Sequence, residues 1–248
     1  MGQAALMDEK LPEITEGFLL GGRVSYAQPR TGYRTGIEPV LLAAGVPAKR
    51  GERVLEAGCG AGAGLLCLAA RVPGIVGVGI ERDPAMAALA HYNFRQSDTL
   101  TVETMDLLDL PPAPTFDHVF ANPPWHRENS TASPDPGRDR AKRAPADLLE
   151  AWIETLLPAL RPGGSITLIL PAEQFARACG CLEAARAGKI TLLPLWPREG
   201  IPARLALVAA RKGRGGPARV LPGLTLHQGD EFSTAAERIL REGAELPM

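Results

Sequence analysis

The chain has 248 residues, 45% of them hydrophobic and 22% charged, with a formal net charge of −1. It is long enough to bury one sizeable core and too apolar for disorder to be the default. It holds no uncharged apolar run of about 18 residues, so no membrane span is expected, and the acids close to Lys10 do not have the basic-then-apolar layout of a secretion signal.

In chain order, residues 14–27 read as a small hairpin and residues 38–45 as a helix. Apolar runs bounded by turn residues then predict strands at 53–57, 75–81, 100–104, 116–121 and 165–170. Helical stretches at 62–72, 84–95, 146–160 and 173–187 alternate with them. The turn Arg161-Pro162-Gly163-Gly164 stops one helix and starts the next strand. Strands at 189–195 and 204–211 are joined only by the Pro/Gly-rich stretch Trp196 to Pro202, which predicts a hairpin. The alternation argues for a doubly wound, mainly parallel sheet of seven strands, with an antiparallel edge strand in the terminal hairpin. Residues 1–248 read as one domain, with 1–45 flanking the cofactor side and 217–248 as an appended segment. The polar stretch from Arg127 to Asp147 is long for a connection inside a compact domain and reads as a lid over substrate.

Two motifs carry chemistry. The strand 116–121 runs into Asn122-Pro123-Pro124-Trp125. An Asn amide presents a carbonyl acceptor, and two prolines fix their own φ while holding the preceding residue extended. The Asn122 side chain and the Pro123 carbonyl are thus aimed together, a pair suited to grip both hydrogens of one planar –NH2 group. Trp125 offers a face on which a base can stack. Upstream, Glu56-Ala57-Gly58-Cys59-Gly60-Ala61-Gly62 follows the strand 53–57. Its glycines let a ligand approach the backbone closely. An acid directly before them sits badly beside a pyrophosphate and suits a cationic ligand such as S-adenosylmethionine. Glu81 closes the next strand, where an acid can accept from ribose hydroxyls. Asp106 is the following candidate and reads either as a partner for an adenine amine or as a cap.

Together these motifs resemble the class I S-adenosylmethionine-dependent methyltransferases, whose Asn-Pro-Pro-aromatic members modify planar amines. Gly21-Gly22-Arg23-Val24, the run from Gln28 to Ala43, His126 to Pro134 and Phe232 to Leu240 narrow the resemblance to the tRNA adenine-N6 methyltransferases that act on a valine tRNA. Two positions depart from that pattern: Trp125 stands where Tyr or Phe is usual, and Glu38 where Asp is typical. The resemblance implies a Rossmann-like α/β fold and S-adenosyl-L-methionine as methyl donor. It assigns catalysis to Asn122, Pro123, Pro124 and Trp125. It assigns the cofactor to Gln28, Arg34, Thr35, Gly36, Glu56, Ala57, Gly58, Gly60, Glu81, Arg82, Asp106 and Asn122.

The substrate this implies is the N6 amine of an adenine in tRNA. Guanine N2 in ribosomal RNA and a protein glutamine amide are the alternatives that the same motif serves, and a non-catalytic nucleotide- or RNA-binding module is a third. The basic segments Arg127, Arg138, Arg140, Lys142 and Arg143, and Arg204, Arg211, Lys212, Arg214 and Arg219, read as phosphate contacts or as solvated loops. Cys59, Cys67, Cys179 and Cys181 have no zinc-ligand spacing and the four histidines are scattered. Reduced thiols in a cytoplasmic protein without a metal site are therefore expected.

Overall fold

The computed structural model describes residues 12–31, 34–124 and 147–248. The hairpin pairs β1 (Ile14–Leu19) with β2 (Val24–Pro29), antiparallel, through a turn in which Gly21 takes φ +62°. The left-handed backbone there favours glycine. Helix α1 (Glu38–Gly45) follows, with Pro39 in its first turn and Val40 to Gly45 all buried. Next come β3 (Arg53–Ala57), α2 (Ala63–Arg71), β4 (Val76–Glu81), α3 (Pro84–Phe94), β5 (Leu100–Thr104) and β6 (Phe116–Ala121). Asp83 caps α3, its carboxylate accepting from Ala85 N–H at 3.0 Å. Then come α4 (Leu148–Ala159), β7 (Leu160–Pro171), α5 (Phe175–Ala184), β8 (Ala187–Trp196) and β9 (Leu205–Lys212). The chain closes with the two-residue strands β10 (Arg219–Val220), β11 (Leu224–Thr225), β12 (His227–Gln228) and β13 (Glu231–Phe232), and with α6 (Thr234–Glu242).

The central sheet has the order β10-β8-β9-β7-β6-β3-β4-β5, with β11 also on β8. The seven expected strands are present, and β10 and β11 add to the β8 edge, both parallel to it. Strands of two residues carry no periodicity to read. The hairpin β8–β9 forms as expected, but its antiparallel member lies inside the sheet, between β7 and β8, rather than at the edge. The reason is the crossover through α5: it lays β8 parallel to β7 with one strand's width between them, and the returning chain fills that gap. The Arg161–Gly164 segment also differs from the expected turn. It belongs to β7 as an irregular stretch, with Phe116 facing Leu160 while His118 already faces Ser165. Gly163, at φ +78°, makes that bend.

Two apolar layers cover the sheet. One joins α1, α2, α3 and α6 through Leu41, Leu42, Leu65, Leu68, Phe94 and Ile239. The other joins α4 and α5 through Trp152, Ile153, Leu156, Ala178 and Leu182. The C-terminal segment is packed on the first layer. Leu246 N–H donates to the Ala44 carbonyl at 2.9 Å, and Ser233 caps α6 by accepting from Ala236 N–H at 3.1 Å.

At the edge where the parallel strands begin, polar side chains form a line that runs from buried Ser165 and His118 out to partly exposed Glu52. His118 bonds through Nδ1 to the Ser165 hydroxyl at 2.6 Å and through Nε2 to Glu52 at 2.9 Å. A neutral ring with its proton on Nε2 satisfies all three groups: it donates to the carboxylate and accepts from the hydroxyl. Burial holds His118 below its ordinary pKa, against the pull of Glu52.

Candidate functional site

Chain order places β4 and β5 on one side of β3 and β6 on the other. The sheet therefore reverses between β3 and β6, and in open α/β sheets ligands bind beyond the strand ends at such a reversal. Ala57 at the end of β3 faces Ala121 at the end of β6. Gly58 and Asn122 consequently leave the sheet as neighbours, and the two motifs separated by more than sixty residues meet at one crevice.

The glycine turn is built by its own backbone. Cys59 N–H donates to the Ile80 carbonyl at 3.0 Å, and Gly62 N–H to the Cys59 carbonyl at 2.9 Å. Gly58, Gly60 and Gly62 take φ of +64°, +54° and +84°. A Cβ on Gly58 would come within 2.8 Å of the Trp152 ring, and one on Gly62 within 2.4 Å of Phe94. A Cβ on Gly60 would meet only the Met86 methyl, at 3.8 Å. Two of these glycines thus serve close packing against side chains beneath, whereas Gly60 presents bare backbone to open space, where a ligand can lie against it.

Glu81 closes this turn. Its carboxylate accepts from Gly60 N–H and from Asp83 N–H, each at 2.9 Å. Partial burial raises its pKa, while those amides lower it. A carboxylate has further lone pairs to offer ribose hydroxyls, and Arg82 beside it is exposed. Asp106 caps the short 3-10 turn Leu107–Asp109, accepting from Leu108 N–H at 3.0 Å. The capping role weighed from sequence is what this oxygen does.

Glu56 stands differently from the ligand-facing acid of the sequence reading. It is 5% exposed and lies under the start of α2, where it accepts from Leu65 N–H at 2.8 Å. Desolvation pushes its pKa up to about 8 against those amide bonds. It therefore acts on the crevice as a buried acid beneath the turn, and Gly64 is glycine because a Cβ there would fall 2.2 Å from the Glu56 carboxylate.

The N-terminal hairpin folds against the same loop. Gln28 accepts from Thr35 N–H at 3.2 Å, and the Tyr26 and Thr35 hydroxyls are 2.7 Å apart. These bonds hold the segment of Thr35 and Gly36, while Arg34 is exposed. A residue not read from sequence fixes the hairpin. Asn93, 7% exposed on α3, accepts from Ala27 N–H at 2.9 Å and donates to the carbonyls of Ala27 and Ala61. One amide thus joins hairpin, helix and glycine turn. Its only signal was an Asn in the interior of a helix, where that residue is a poor former.

Asn122 is partly buried and Pro123 buried at the end of β6, with Pro124 partly buried after them. Trp125, the lid expected from Arg127 to Asp147 apart from Asp147 itself, and the first basic segment lie outside the described residues. The second basic segment does not converge on the crevice. Because β9 is antiparallel, with Ser165 facing Arg211 and Pro171 facing Leu205, only Arg204 is near the crevice edge. Arg211, Lys212 and Arg214 sit at the opposite one. Lys212 donates to the carbonyls of Pro158 and Leu160 at 3.0 and 2.6 Å, and Arg211 to that of Gly163 at 3.3 Å. Among the described residues no group of three or more His, Cys, Asp or Glu is placed to hold a metal ion, and no helix is long and apolar enough to cross a membrane.

Residues 54–134 match the family described as a methyltransferase domain. The tRNA1(Val) (adenine(37)-N6)-methyltransferase of Actinobacillus succinogenes is 32% identical over 151 residues, 58% of this chain and 64% of that protein. The protein of the same name from Yersinia pestis is 28% identical over 181 residues, 69% of this chain and 73% of its own length. The match therefore spans about two thirds to three quarters of these relatives. Among solved structures, a predicted O-methyltransferase from Agrobacterium tumefaciens superposes with a TM-score of 0.68 at 25% identity, over 85% of this chain and 99% of that one. Phosphoethanolamine N-methyltransferase 2 of Haemonchus contortus, solved with S-adenosyl-L-methionine, shares the fold at TM-score 0.51 and 14% identity, over 70% of this chain and 51% of its own. The chain has the class I methyltransferase fold.

Proposed function

We propose that this chain, a relative of the tRNA1(Val) (adenine(37)-N6)-methyltransferases with a class I methyltransferase fold, transfers a methyl group from S-adenosyl-L-methionine to the exocyclic N6 amine of an adenine in tRNA. The observation that carries the reading is the Ala57–Ala121 pairing, which brings the glycine turn and Asn122-Pro123-Pro124 to one crevice. The residues around that crevice fit the donor. Gly60 offers open backbone, Glu81 an acid bonded to the turn, and Glu56 a buried acid beneath it. When bound, S-adenosyl-L-methionine supplies a sulfonium methyl as the electrophile.

The protein's task is to make a poor nucleophile reactive. The lone pair of adenine N6 is delocalised into the ring. The Asn122 side-chain carbonyl and the Pro123 backbone carbonyl accept the two amine hydrogens and favour a pyramidal nitrogen, on which the lone pair is localised. Trp125 stacks on the base once it has left its own stack. Orientation and fixed dipoles supply most of the acceleration. No general base is required before transfer, because the methylated cation is acidic enough to lose its proton to water. A protein of this activity works in the cytoplasm, where its RNA is.

The test is transfer of radiolabelled methyl to total tRNA, ribosomal RNA and protein from cells lacking this protein. Label in tRNA as N6-methyladenosine is the expected result. Label in ribosomal guanine or in protein glutamine, with none in tRNA, would replace the substrate while keeping the mechanism.

A further inference from the structure

The edge of the sheet opposite the crevice carries a continuous run of basic side chains. Residues 205–229 contain Arg211, Lys212, Arg214 and Arg219 and no acid. Gly188 faces Arg211 across β8 and β9, and Arg219 pairs with Thr191 on the other side of β8, where its guanidinium donates to the Thr191 hydroxyl at 3.3 Å. The Arg214 guanidinium lies over Gly163, 3.2 Å from where a Cβ would stand, and the Lys189 side chain lies against Gly216 in the same way. Arg186 closes the turn before β8, with its φ at +62°. The backbone of Arg214 and Gly215 also lies against Gly188, so residues 214–216 run along the start of β8, where Arg186 and Lys189 stand and beside which Arg219 pairs.

Two kinds of basic residue meet there. Arg211 and Lys212 are half-buried and spend their donors on backbone carbonyls. Arg186, Lys189, Arg214 and Arg219 are exposed, and none of the four is in an ion pair among the described residues. The connecting stretch is Gly213-Arg214-Gly215-Gly216, in which three glycines leave no side chain to cover the arginine. Bare backbone between exposed arginines lets a phosphate chain come close.

We infer that this edge, formed by Arg186, Lys189, Arg214 and Arg219, docks the phosphate backbone of the RNA substrate at a point remote from its target adenine. The inference rests on the RNA reading of the crevice. Ser165 and Pro171 stand six positions apart on β7, a span of about 20 Å between the two edges. A folded tRNA reaches across that distance, and a trinucleotide held in the crevice does not. The near-zero net charge and the acids elsewhere on the surface make an edge of this kind an address for a polyanion rather than part of a general positive coat.

The test replaces all four residues with glutamine in the full chain. Affinity for intact tRNA should fall about tenfold or more near 0.1 M salt, and the slope of log K against log salt should drop by about 3 to 4, since every phosphate left unneutralised keeps about one counterion. KM for tRNA should rise with kcat at saturating tRNA unchanged. Transfer to a trinucleotide carrying the target adenine should match wild type, as should S-adenosylmethionine binding and the melting temperature. Unchanged tRNA affinity and salt slope would overturn the inference. So would loss of binding to vesicles of phosphatidylserine with tRNA binding intact, which would assign the edge to a membrane surface. Should the fourfold variant melt early, Arg214→Gln and Lys189→Gln singly carry the test, each expected to lower the slope by about 1. Failure of the wild-type chain to methylate any RNA would instead refute the reading of the crevice.

Discussion

Glu56 gives the sharpest quantitative test of the site. In the native chain it is buried under α2 with its pKa pushed up from 4.5 to about 8. Unfolded, it ionises at the ordinary value. The stability it contributes is thus fully present below pH 4.5 and is lost as the pH climbs to about 8. A displacement of that size corresponds to about 5 kcal/mol. The amides at the start of α2, which favour the ionised form, are already counted in that net displacement. Glu56→Gln keeps the volume and one acceptor for Leu65 N–H but has no proton to lose. Urea unfolding without cofactor, at pH values from 5 to 9, should show the variant gaining on wild type by up to about 1.4 kcal/mol per pH unit and levelling off above 8. Any constant offset from the missing second acceptor leaves that slope untouched. A cation bound above the turn draws the proton off, so S-adenosylmethionine affinity should rise with pH up to about 8 in wild type and stay level in Glu56→Gln. Parallel stability curves for the two proteins would mean that Glu56 is ionised throughout and that burial does not govern it.

Other residues give independent readouts. Asn122→Ala should lower methyl transfer on the order of 100-fold or more while calorimetry finds cofactor affinity near wild type, because the amide holds substrate; near-normal turnover would sink the mechanism. Glu81→Ala should weaken cofactor binding by about 1–3 kcal/mol through the loss of charge-assisted bonds, and unchanged affinity by calorimetry would remove Glu81 from the site. Asn93→Ala strands the buried polar groups of Ala27 and Ala61, so chemical denaturation should show a loss of about 2–4 kcal/mol, with hydrogen exchange faster in β2 than in β4; equal protection would separate the hairpin from the glycine turn. His118 is held neutral below its ordinary value of 6.5, so the stability it contributes is complete above 6.5 and is lost as the pH falls from there. His118→Gln should flatten the acid side of the stability profile, and an unchanged acid limb would show that the ring titrates as in the unfolded chain.

Much of this architecture is written in local pattern. Arg53–Ala57, Leu100–Thr104, Phe116–Ala121 and helix Glu38–Gly45 fall where apolar runs and turn residues put them, because a short strand between glycines or prolines has few other ways to bury itself. The glycine turn and the Asn122-Pro123-Pro124 run were legible as motifs for the same reason. What pattern does not encode is direction. Val54, Leu55, Glu56 and Ala57 are all buried, since a parallel strand is covered on both faces. An acid there is governed by its burial and by the helix terminus that it accepts from, whatever its place before the glycines suggests. Charge is equally silent about which edge it decorates. Arg211 and Arg214 stand close in sequence to Arg204, but an antiparallel strand of eight residues carries them to the far side of the sheet. That the strand is antiparallel follows from the gap left by the α5 crossover, a constraint set by three elements together. Asn93 belongs to the same class. Its amide satisfies the hairpin and the glycine turn at once, and its partners, Ala27 and Ala61, lie 66 and 32 residues away in the chain. Sequence reading finds groups whose chemistry is local and misses those whose function is to hold two distant segments in one place.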